Sequence, residues 1–325
     1  MELSSKDYVP IPIHEFVNGV LIQVDLFIRL GEEKFVLVGK AGTHSNVDQF
    51  KNYQNREVIY LWVRKKEYYK LAHQTLAIAG IALSKKELND KQKTAIVTHA
   101  ARSMFRQLDH LGMDLEIYNN AKQITEAVIT LVESHKTLSD LFESLTHVGD
   151  QLLAHSVGVS AISTMLGTAL GYEKKKTLEK LAIGGLLHDI GMKAIPQELA
   201  RKPMATMTPE EIQVYETHAF KGMQMLLSLG IVPDDVVSIV YEHHENAIGQ
   251  GFPQRLRDVK MHPLAKIVAL ADAYVELIIP NVNCPVAKNP REALMYIEHT
   301  LGIPYNKEAF RALKRIIEGA EKKSA

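Results

Sequence analysis

The spacing of apolar residues changes along the chain from a strand-like to a helix-like pattern. Residues 20–28 form an apolar run, a turn follows at Gly31, and residues 35–39 return, which predicts a β-hairpin. A third β-rich run covers residues 57–63. The pattern therefore predicts a small mixed α/β domain over residues 1–66, with a sensory or partner-binding role.

From about residue 67 onward, apolar residues recur every three or four positions, as on one face of a helix. One such stripe consists of Ile96, Ala100, Met104, Leu108 and Leu111. Gly112 is expected to break that helix. We expect connecting helices over residues 67–147, whose stripes build an intramolecular core or the seam of a homodimer. Residues 148–325 continue the helical pattern, so the predicted fold is mainly α, preceded by a small α+β amino-terminal domain.

The composition of the chain bears on its binding partners and on its cellular compartment. The 325 residues carry 38 basic and 38 acidic side chains, so no net field draws the protein to a nucleic acid polymer or a membrane. The single cysteine, Cys284, excludes an intrachain disulfide and fits a reducing compartment. Met1–Pro10 lacks the features of a signal peptide. No apolar run approaches the ~20 residues of a membrane helix. We therefore expect a cytoplasmic protein.

Five of the 14 histidines stand in an organised pattern with two aspartates. His188 and Asp189 close an apolar helical run, and Gly191 follows where the helix can end. Asp272 lies in a helix that is otherwise apolar, where an unpaired carboxylate would be costly unless it met a cation. The candidate metal ligands are His155, His188, Asp189, His218, His243, His244 and Asp272.

The intervals between these candidates are 33, 29, 25 and 28 residues, or one helix and one loop each. Helices packed side by side could point all of them at one centre. Seven ligands exceed the need of one ion, but two ions could share Asp189 as a bridge. One ion would take His155, His188, Asp189 and Asp272, and the other would take Asp189, His218, His243 and His244.

Two divalent ions against two carboxylates leave a formal charge of about +2, which favours a phosphate-containing ligand. Imidazole and carboxylate ligands without thiolate suit iron, manganese, nickel or zinc better than calcium. The alternative is structural: His188 and Asp189 would form a hydrogen-bonded pair at a helix end, and Asp272 would be a capping or turn residue. That alternative suits any one of these residues but not the whole set.

Four segments resemble the HD-GYP branch of the HD superfamily of metal-dependent phosphohydrolases. They are Leu186–Gly191, Glu242–Glu245, Gly249–Pro253 and Ala265–Asp272. The resemblance implies a helical bundle around a binuclear metal centre that hydrolyses cyclic di-GMP. It implies that the seven candidates above are the metal ligands, with iron as the first expectation. It also implies that Gly251, Phe252 and Pro253 form a substrate-binding lip over the metals.

The chain departs from the family pattern where substrate is handled. Met192 stands where the family usually has a lysine, so the candidate catalytic residues are Asp189 and Lys193. Residues 246–248 are Asn-Ala-Ile instead of Arg-Trp-Asp, and Phe252 replaces the tyrosine of the motif. Gln151 stands where three-metal members have a glutamate, which predicts two ions instead of three.

Two main functions follow from this combination of intact ligands and altered substrate residues. The first is a weakly active metal-dependent phosphodiesterase acting on a cyclic dinucleotide such as cyclic di-GMP. The second is a degenerate, metal-bound sensor or adaptor that binds such a ligand and contacts other signalling proteins. An HD hydrolase of another nucleotide is a third reading, because the arginine and tryptophan are missing.

Overall fold

The structure is a computed structural model that describes residues 7–16, 21–83, 87–134, 145 and 151–324. The expected boundary between residues 147 and 148 and the side chain of Gln151 lie outside the described part. Contacts divide the chain into two compact units, residues 1–79 with 103–112 and residues 80–102 with 113–325. The division into three domains stays a prediction. The mainly helical fold with a small amino-terminal sheet is confirmed.

The first unit contains an antiparallel sheet with the strand order β1-β4-β2-β3. The strands are β1 Tyr8–Pro12, β2 Leu26–Arg29, β3 Phe35–Gly39 and β4 Tyr60–Arg64. The predicted hairpin is confirmed as β2–β3, closed by the Leu30 N–H donating to the Lys34 carbonyl at 2.8 Å. The sequence did not predict β1, which contains two prolines; its place at the edge of the sheet tolerates them.

Alternate residues of the strands bury one face of this sheet. Val9 and Ile11 of β1 are buried beside Leu61 and Val63 of β4. Helix α1 (Val47–Gln54), also absent from the predictions, contributes Phe50 to the same core. Its other residues are mostly polar, so the run carries little helical periodicity.

The remaining regular elements of the described chain are mainly α-helices. The connecting helices are α2 Tyr68–Leu83, α3 Asp90–Leu111 and α4 Leu115–Ser134. Gly112 separates α3 from α4 with φ +80°, as the sequence predicted. The later helices are α5 Gln151–Ala169, α6 Lys175–Leu187, α7 Gln197–Ala200, α8 Pro209–Leu227, α9 Asp234–Glu242, α10 Pro263–Ile278, α11 Pro290–Met295 and α12 Lys307–Ser324.

Glycines allow the helices around α6 to approach one another closely. A Cβ at Gly185 would lie 2.9 Å from the Ser160 Cα of α5, and one at Gly184 would lie 2.6 Å from Ile239 of α9. After α6 the chain forms a 3-10 turn, Ile190–Ala194, in which a Cβ at Gly191 would lie 1.9 Å from the His218 carbonyl oxygen of α8. Only glycine permits these approaches, which draw α5, α8 and α9 around the end of α6.

Within the described residues, one helical stretch, Leu152–Ala169, is long and apolar enough to cross a membrane by length and composition. However, 72% of that window is buried inside the protein. It contacts α6, α10 and α4 along its length, so it is the core helix of this unit.

Candidate metal centre

The five histidines and two aspartates singled out in the sequence come together in the helical unit. They form two groups: Asp189, His218, His243 and His244 in one, and His155, His188 and Asp272 in the other. Each is held by the end or the interior of a packed helix. The structure therefore brings together all seven side chains that the sequence singled out.

The smaller group gathers around Asp272 of α10. The His155 Nε2 lies 3.0 Å from Asp272 Oδ1 and 3.1 Å from the His188 Nε2. The His188 Nε2 in turn lies 3.6 Å from the same carboxylate oxygen. Three ligand atoms from α5, the end of α6 and α10 thus face one point.

The larger group gathers around Asp189. Its Oδ1 lies 3.4 Å from the His218 Nε2 and 3.5 Å from the His243 Nε2, and these two nitrogens are 3.3 Å apart. The His244 ring packs against the His243 ring, with centroids 4.1 Å apart. This group combines residues from the end of α6, from α8 and from the end of α9.

Both aspartates reach from one group toward the other. Asp189 turns its second oxygen, Oδ2, to the His188 Nε2 at 3.4 Å. Asp272 turns its Oδ2 to the His244 Nδ1 at 3.5 Å. The sequence suggested a bridging position for Asp189 alone, because linear spacing gives no information on which neighbour each carboxylate oxygen faces.

Backbone hydrogen bonds set the ring orientation of three histidines. The Nδ1 atoms of His188, His218 and His243 each lie 2.7–2.8 Å from the carbonyl oxygen three residues earlier. A carbonyl can only accept, so each Nδ1 carries a proton and donates it. In the neutral ring the Nε2 atom then offers a lone pair to the centre, which is the arrangement of metal-binding histidines.

The geometry fits divalent cations. Ligand atoms about 2.0–2.1 Å from one ion, at angles from square to tetrahedral, are separated by about 2.9–3.4 Å. The contacts between ligand atoms in both groups fall in or near that range. In addition, Asp189 Oδ1 and His244 Nε2 are buried and have no hydrogen-bond partner within the described residues. Such buried lone pairs are costly unless a cation satisfies them.

Charges in the centre shift the pKa values of its members in opposite directions. Burial alone lowers the pKa of His188, but the Asp189 carboxylate raises it to about 9. Burial lowers the pKa of His218 to about 4, and burial with the neighbouring His243 lowers that of His244. Burial alone raises the pKa of Asp272, but the hydrogen bond from His155 and the charge of His188 bring it well below its usual range. Burial alone raises the pKa of Asp189 too, but the neighbouring His188 brings it well below its usual range. The His218 and His244 rings are therefore neutral, and both carboxylates are ionised, at neutral pH.

The predicted lip lies directly against these histidines. The Phe252 ring lies 4.5 Å from the His244 ring and 5.8 Å from the His218 ring, centroid to centroid. The Phe252 N–H donates to the His244 carbonyl at 3.2 Å. Gly251 is buried, and a Cβ there would lie 2.2 Å from the same oxygen, so no larger residue fits. Pro253 follows Phe252 through a cis peptide bond.

Glu245 fastens this lip to the histidine pair, a role that the sequence analysis missed. Its side chain is buried, and its two carboxylate oxygens accept the backbone N–H groups of Gln254 at 2.6 Å and Leu256 at 2.7 Å. Charged acceptors of backbone N–H groups form strong hydrogen bonds. An acidic residue directly after His243 and His244 was the available signal, but its acceptor role depends on residues nine and eleven positions away.

The candidate catalytic lysine lies on the 3-10 turn that follows Asp189. Met192 is half-buried there, whereas Lys193 is exposed. Successive residues of a 3-10 turn point about 120° apart, so the two side chains face different directions. The catalytic role of Lys193 stays a prediction.

Comparison with known proteins agrees with this architecture. The family model of the HD domain matches residues 126–305. A cyclic di-GMP phosphodiesterase of Pseudomonas aeruginosa is 30% identical over 188 residues, which are 58% of this chain and 43% of that protein. A cyclic di-GMP phosphodiesterase of Vibrio cholerae is 28% identical over 205 residues, 58% of this chain and 42% of that protein. The chain thus spans about two fifths of the length of these curated relatives.

A solved structure shares the fold. An HDG"Y"P protein from Bdellovibrio bacteriovorus superposes with a TM-score of 0.67 at 21% identity, covering 96% of this chain and 100% of that chain. The His-Asp pair at the end of α6, the clustered histidines and the matched family model lead to one assignment. The chain belongs to the HD domain family, and it shares its fold with the HDG"Y"P protein.

Proposed function

We propose that this protein is a weakly active metal-dependent phosphodiesterase that hydrolyses a cyclic dinucleotide such as cyclic di-GMP. The observation that carries the proposal is the convergence of the seven side chains, with lone pairs of two of them buried and unpaired. Relatives from Pseudomonas and Vibrio named as cyclic di-GMP phosphodiesterases support the substrate class. A Vibrio relative specific for 3'3'-cGAMP widens it to cyclic dinucleotides in general.

Two divalent ions are the proposed cofactors, with iron first and manganese, nickel or zinc as alternatives. When bound, such ions supply Lewis-acid activation of water and of phosphoryl oxygens. His155, His188 and Asp272 would hold one ion, and His218, His243 and His244 the other. Asp189 would join the two sets, because its oxygens face His188 and His218 separately.

The residues around the ions would bind and orient the substrate. Gly251 lets the backbone lie close to the histidine pair, and Phe252 with Pro253 forms an apolar wall over it. Contact with this wall would hold the phosphodiester in a fixed orientation beside the metal ions, which lowers the entropic cost of the reaction. Met192 offers neither a proton nor a charge, which is the reason to expect slow turnover.

A degenerate sensor or adaptor is the second candidate. Met192 favours it, because a methionine side chain has no proton to transfer at the centre. In this case the metal centre would bind a cyclic dinucleotide without cleaving it, and another signalling protein would read the occupied state. For either function we propose a cytoplasmic protein whose partner is a small phosphate ligand, with a homodimer through its connecting helices.

One experiment on a single sample separates these functions. The protein is loaded anaerobically with iron or manganese, its metals per chain are counted, and binding and cleavage of cyclic di-GMP, 3'3'-cGAMP and their linear forms are followed. Two metals with metal-dependent cleavage support the phosphodiesterase. Two metals with binding alone support the sensor, and protein that takes up no metal contradicts both.

A further inference from the structure

Neither side chain of the lip, Phe252 or Pro253, carries a hydrogen-bond donor. A phosphodiester presents only acceptors at its non-bridging oxygens. Tyr215 and Tyr305 are among the half-buried tyrosines of the helical unit. Within the described residues, neither hydroxyl donates a hydrogen bond to a protein acceptor.

Tyr215 lies on α8, one turn before His218. Its ring meets the His218 ring edge-on, with centroids 5.1 Å apart, and its carbonyl oxygen is the acceptor that orients the His218 Nδ1. The Tyr215 ring therefore lies directly beside His218, one of the proposed metal ligands. Its hydroxyl is also within the field of the Asp189, Asp272 and Glu276 carboxylates, which add to burial in raising the pKa of Tyr215.

Tyr305 reaches the same region from the carboxyl-terminal part of the unit. The preceding residue, Pro304, accepts the N–H of Ala247 at 2.7 Å. This bond fastens Tyr305 beside the Asn-Ala-Ile segment that follows the histidine pair. Burial raises the pKa of Tyr305, and the Asp272 and Glu276 carboxylates raise it further.

Tyr274 differs from these two tyrosines in the use of its hydroxyl. Its ring is buried on α10, close in sequence to Asp272, but its hydroxyl donates to the Pro290 carbonyl at 3.3 Å. Burial raises the pKa of Tyr274. Tyr274 therefore uses its hydroxyl within the fold.

We propose that the Tyr215 and Tyr305 hydroxyls donate hydrogen bonds to the phosphate oxygens of the bound dinucleotide. This inference rests on the proposed function and names two substrate-binding residues for it. The two hydroxyls would supply donors that Phe252, Met192 and Ile248 do not offer. A phenol is also neutral, so it adds a donor without changing the charge of the metal centre.

The test is the affinity of metal-loaded Tyr215→Phe and Tyr305→Phe for cyclic di-GMP, measured by isothermal titration calorimetry. Each change keeps the ring and removes one hydrogen bond to a charged acceptor, which weakens binding about 10- to 100-fold. Metal content and thermal unfolding are expected to stay as in the unaltered protein. Tyr274→Phe is the matched control, with unchanged affinity.

The possible results distinguish a failure of this inference from a failure of the proposed function. Unchanged affinity in both variants, with metals retained, overturns this inference and leaves the proposed function standing. Loss of metal from Tyr215→Phe would show a role in holding His218 and would overturn the inference for that residue. Absence of cyclic di-GMP binding by the unaltered, metal-loaded protein overturns the proposed function and this inference with it.

Discussion

The Nε2 atoms of His155 and His188 lie 3.1 Å apart, a distance at which two neutral acceptor nitrogens would repel each other. The His188 Nδ1 donates its proton to the Gly185 carbonyl, so the Nε2 is the atom of this ring that can bind either a metal ion or a second proton. Without metal the proton takes this place, which agrees with the pKa of His188 being raised to about 9. Metal ion and proton therefore compete for one position.

This competition makes metal uptake depend on pH. Because the pKa of His188 is raised, the ring is protonated in metal-free protein below about pH 9 and must lose that proton when metal binds. Because the pKa values of His218 and His244 are lowered, those rings are already neutral at neutral pH and release no proton when metal binds. At pH 7.5 we expect release of about one proton, and apparent affinity should fall about tenfold per pH unit below 9. Calorimetry in buffers of different ionisation enthalpy measures the proton count; zero release at pH 7.5 would refute this account of His188.

Asp189 connects the two groups of ligands. Asp189→Ala should therefore empty both metal positions. Asp272→Ala should mainly weaken the position of His155 and His188, because the contact of Asp272 with His155, at 3.0 Å, is shorter than its contact with His244, at 3.5 Å. Elemental analysis of the loaded variants gives metals per chain, and Glu198→Gln on an exposed helix serves as the control. Retention of two metals by Asp189→Ala would rule out the bridging role.

Gly191 determines how closely the turn carrying Asp189 approaches α8. A Cβ at this position would lie 1.9 Å from the His218 carbonyl oxygen, so Gly191→Ala must push the two segments apart. We expect a loss of about 3 kcal/mol in unfolding free energy and reduced metal content. Gly319→Ala is the control, because nothing lies near its Cβ and alanine favours a helix. Urea unfolding of the metal-free proteins measures the unfolding free energy of each variant. Equal values for Gly191→Ala and Gly319→Ala would contradict the expected loss.

Glu245 holds the lip closed with both carboxylate oxygens. Glu245→Gln replaces one acceptor by an N–H₂ group that faces a backbone N–H, so one buried donor is left unpaired at a cost of about 1–3 kcal/mol. The lip should open and expose the bonds after Arg255 and Arg257. Limited trypsin digestion checks this directly, with Glu198→Gln as the control. If Glu245→Gln is cut no faster than the control, the carboxylate does not hold the lip.

Met192 accounts for the expected slow chemistry. Met192→Lys should raise turnover of cyclic di-GMP, because a lysine there can neutralise phosphate charge or donate a proton to the leaving oxygen, effects worth ~10²–10⁴ in rate. Lys193→Ala is the companion variant and should change little. Steady-state rates compare the two; a large loss in Lys193→Ala would show that Lys193 supplies the missing group.

Much of the helical centre could be predicted from the sequence, because a charged residue in an apolar helix has few inexpensive explanations. His188, Asp189 and Asp272 stand out for this reason, and the near-regular intervals predicted that the helices would bring the histidines together. The structure places all seven side chains in two adjoining groups.

Features that depend on partners distant in the chain could not be predicted from the sequence. Glu245 accepts N–H groups from a loop, and Asp272 faces His244 from another helix. Tyr215 is identified only by its ring contact with His218. Strand β1 was missed because prolines argue against a strand until its place at the sheet edge is known.

Single-turnover hydrolysis, with metal-loaded protein in excess over cyclic di-GMP, decides whether this metal centre cleaves its ligand, because it detects cleavage even when turnover is slow. We expect linear dinucleotide or GMP to appear with metal-loaded protein, and neither product to appear after chelation or in Asp189→Ala. Intact cyclic di-GMP after prolonged incubation with protein shown to hold two metals would contradict the phosphodiesterase and leave the sensor as the function of this centre.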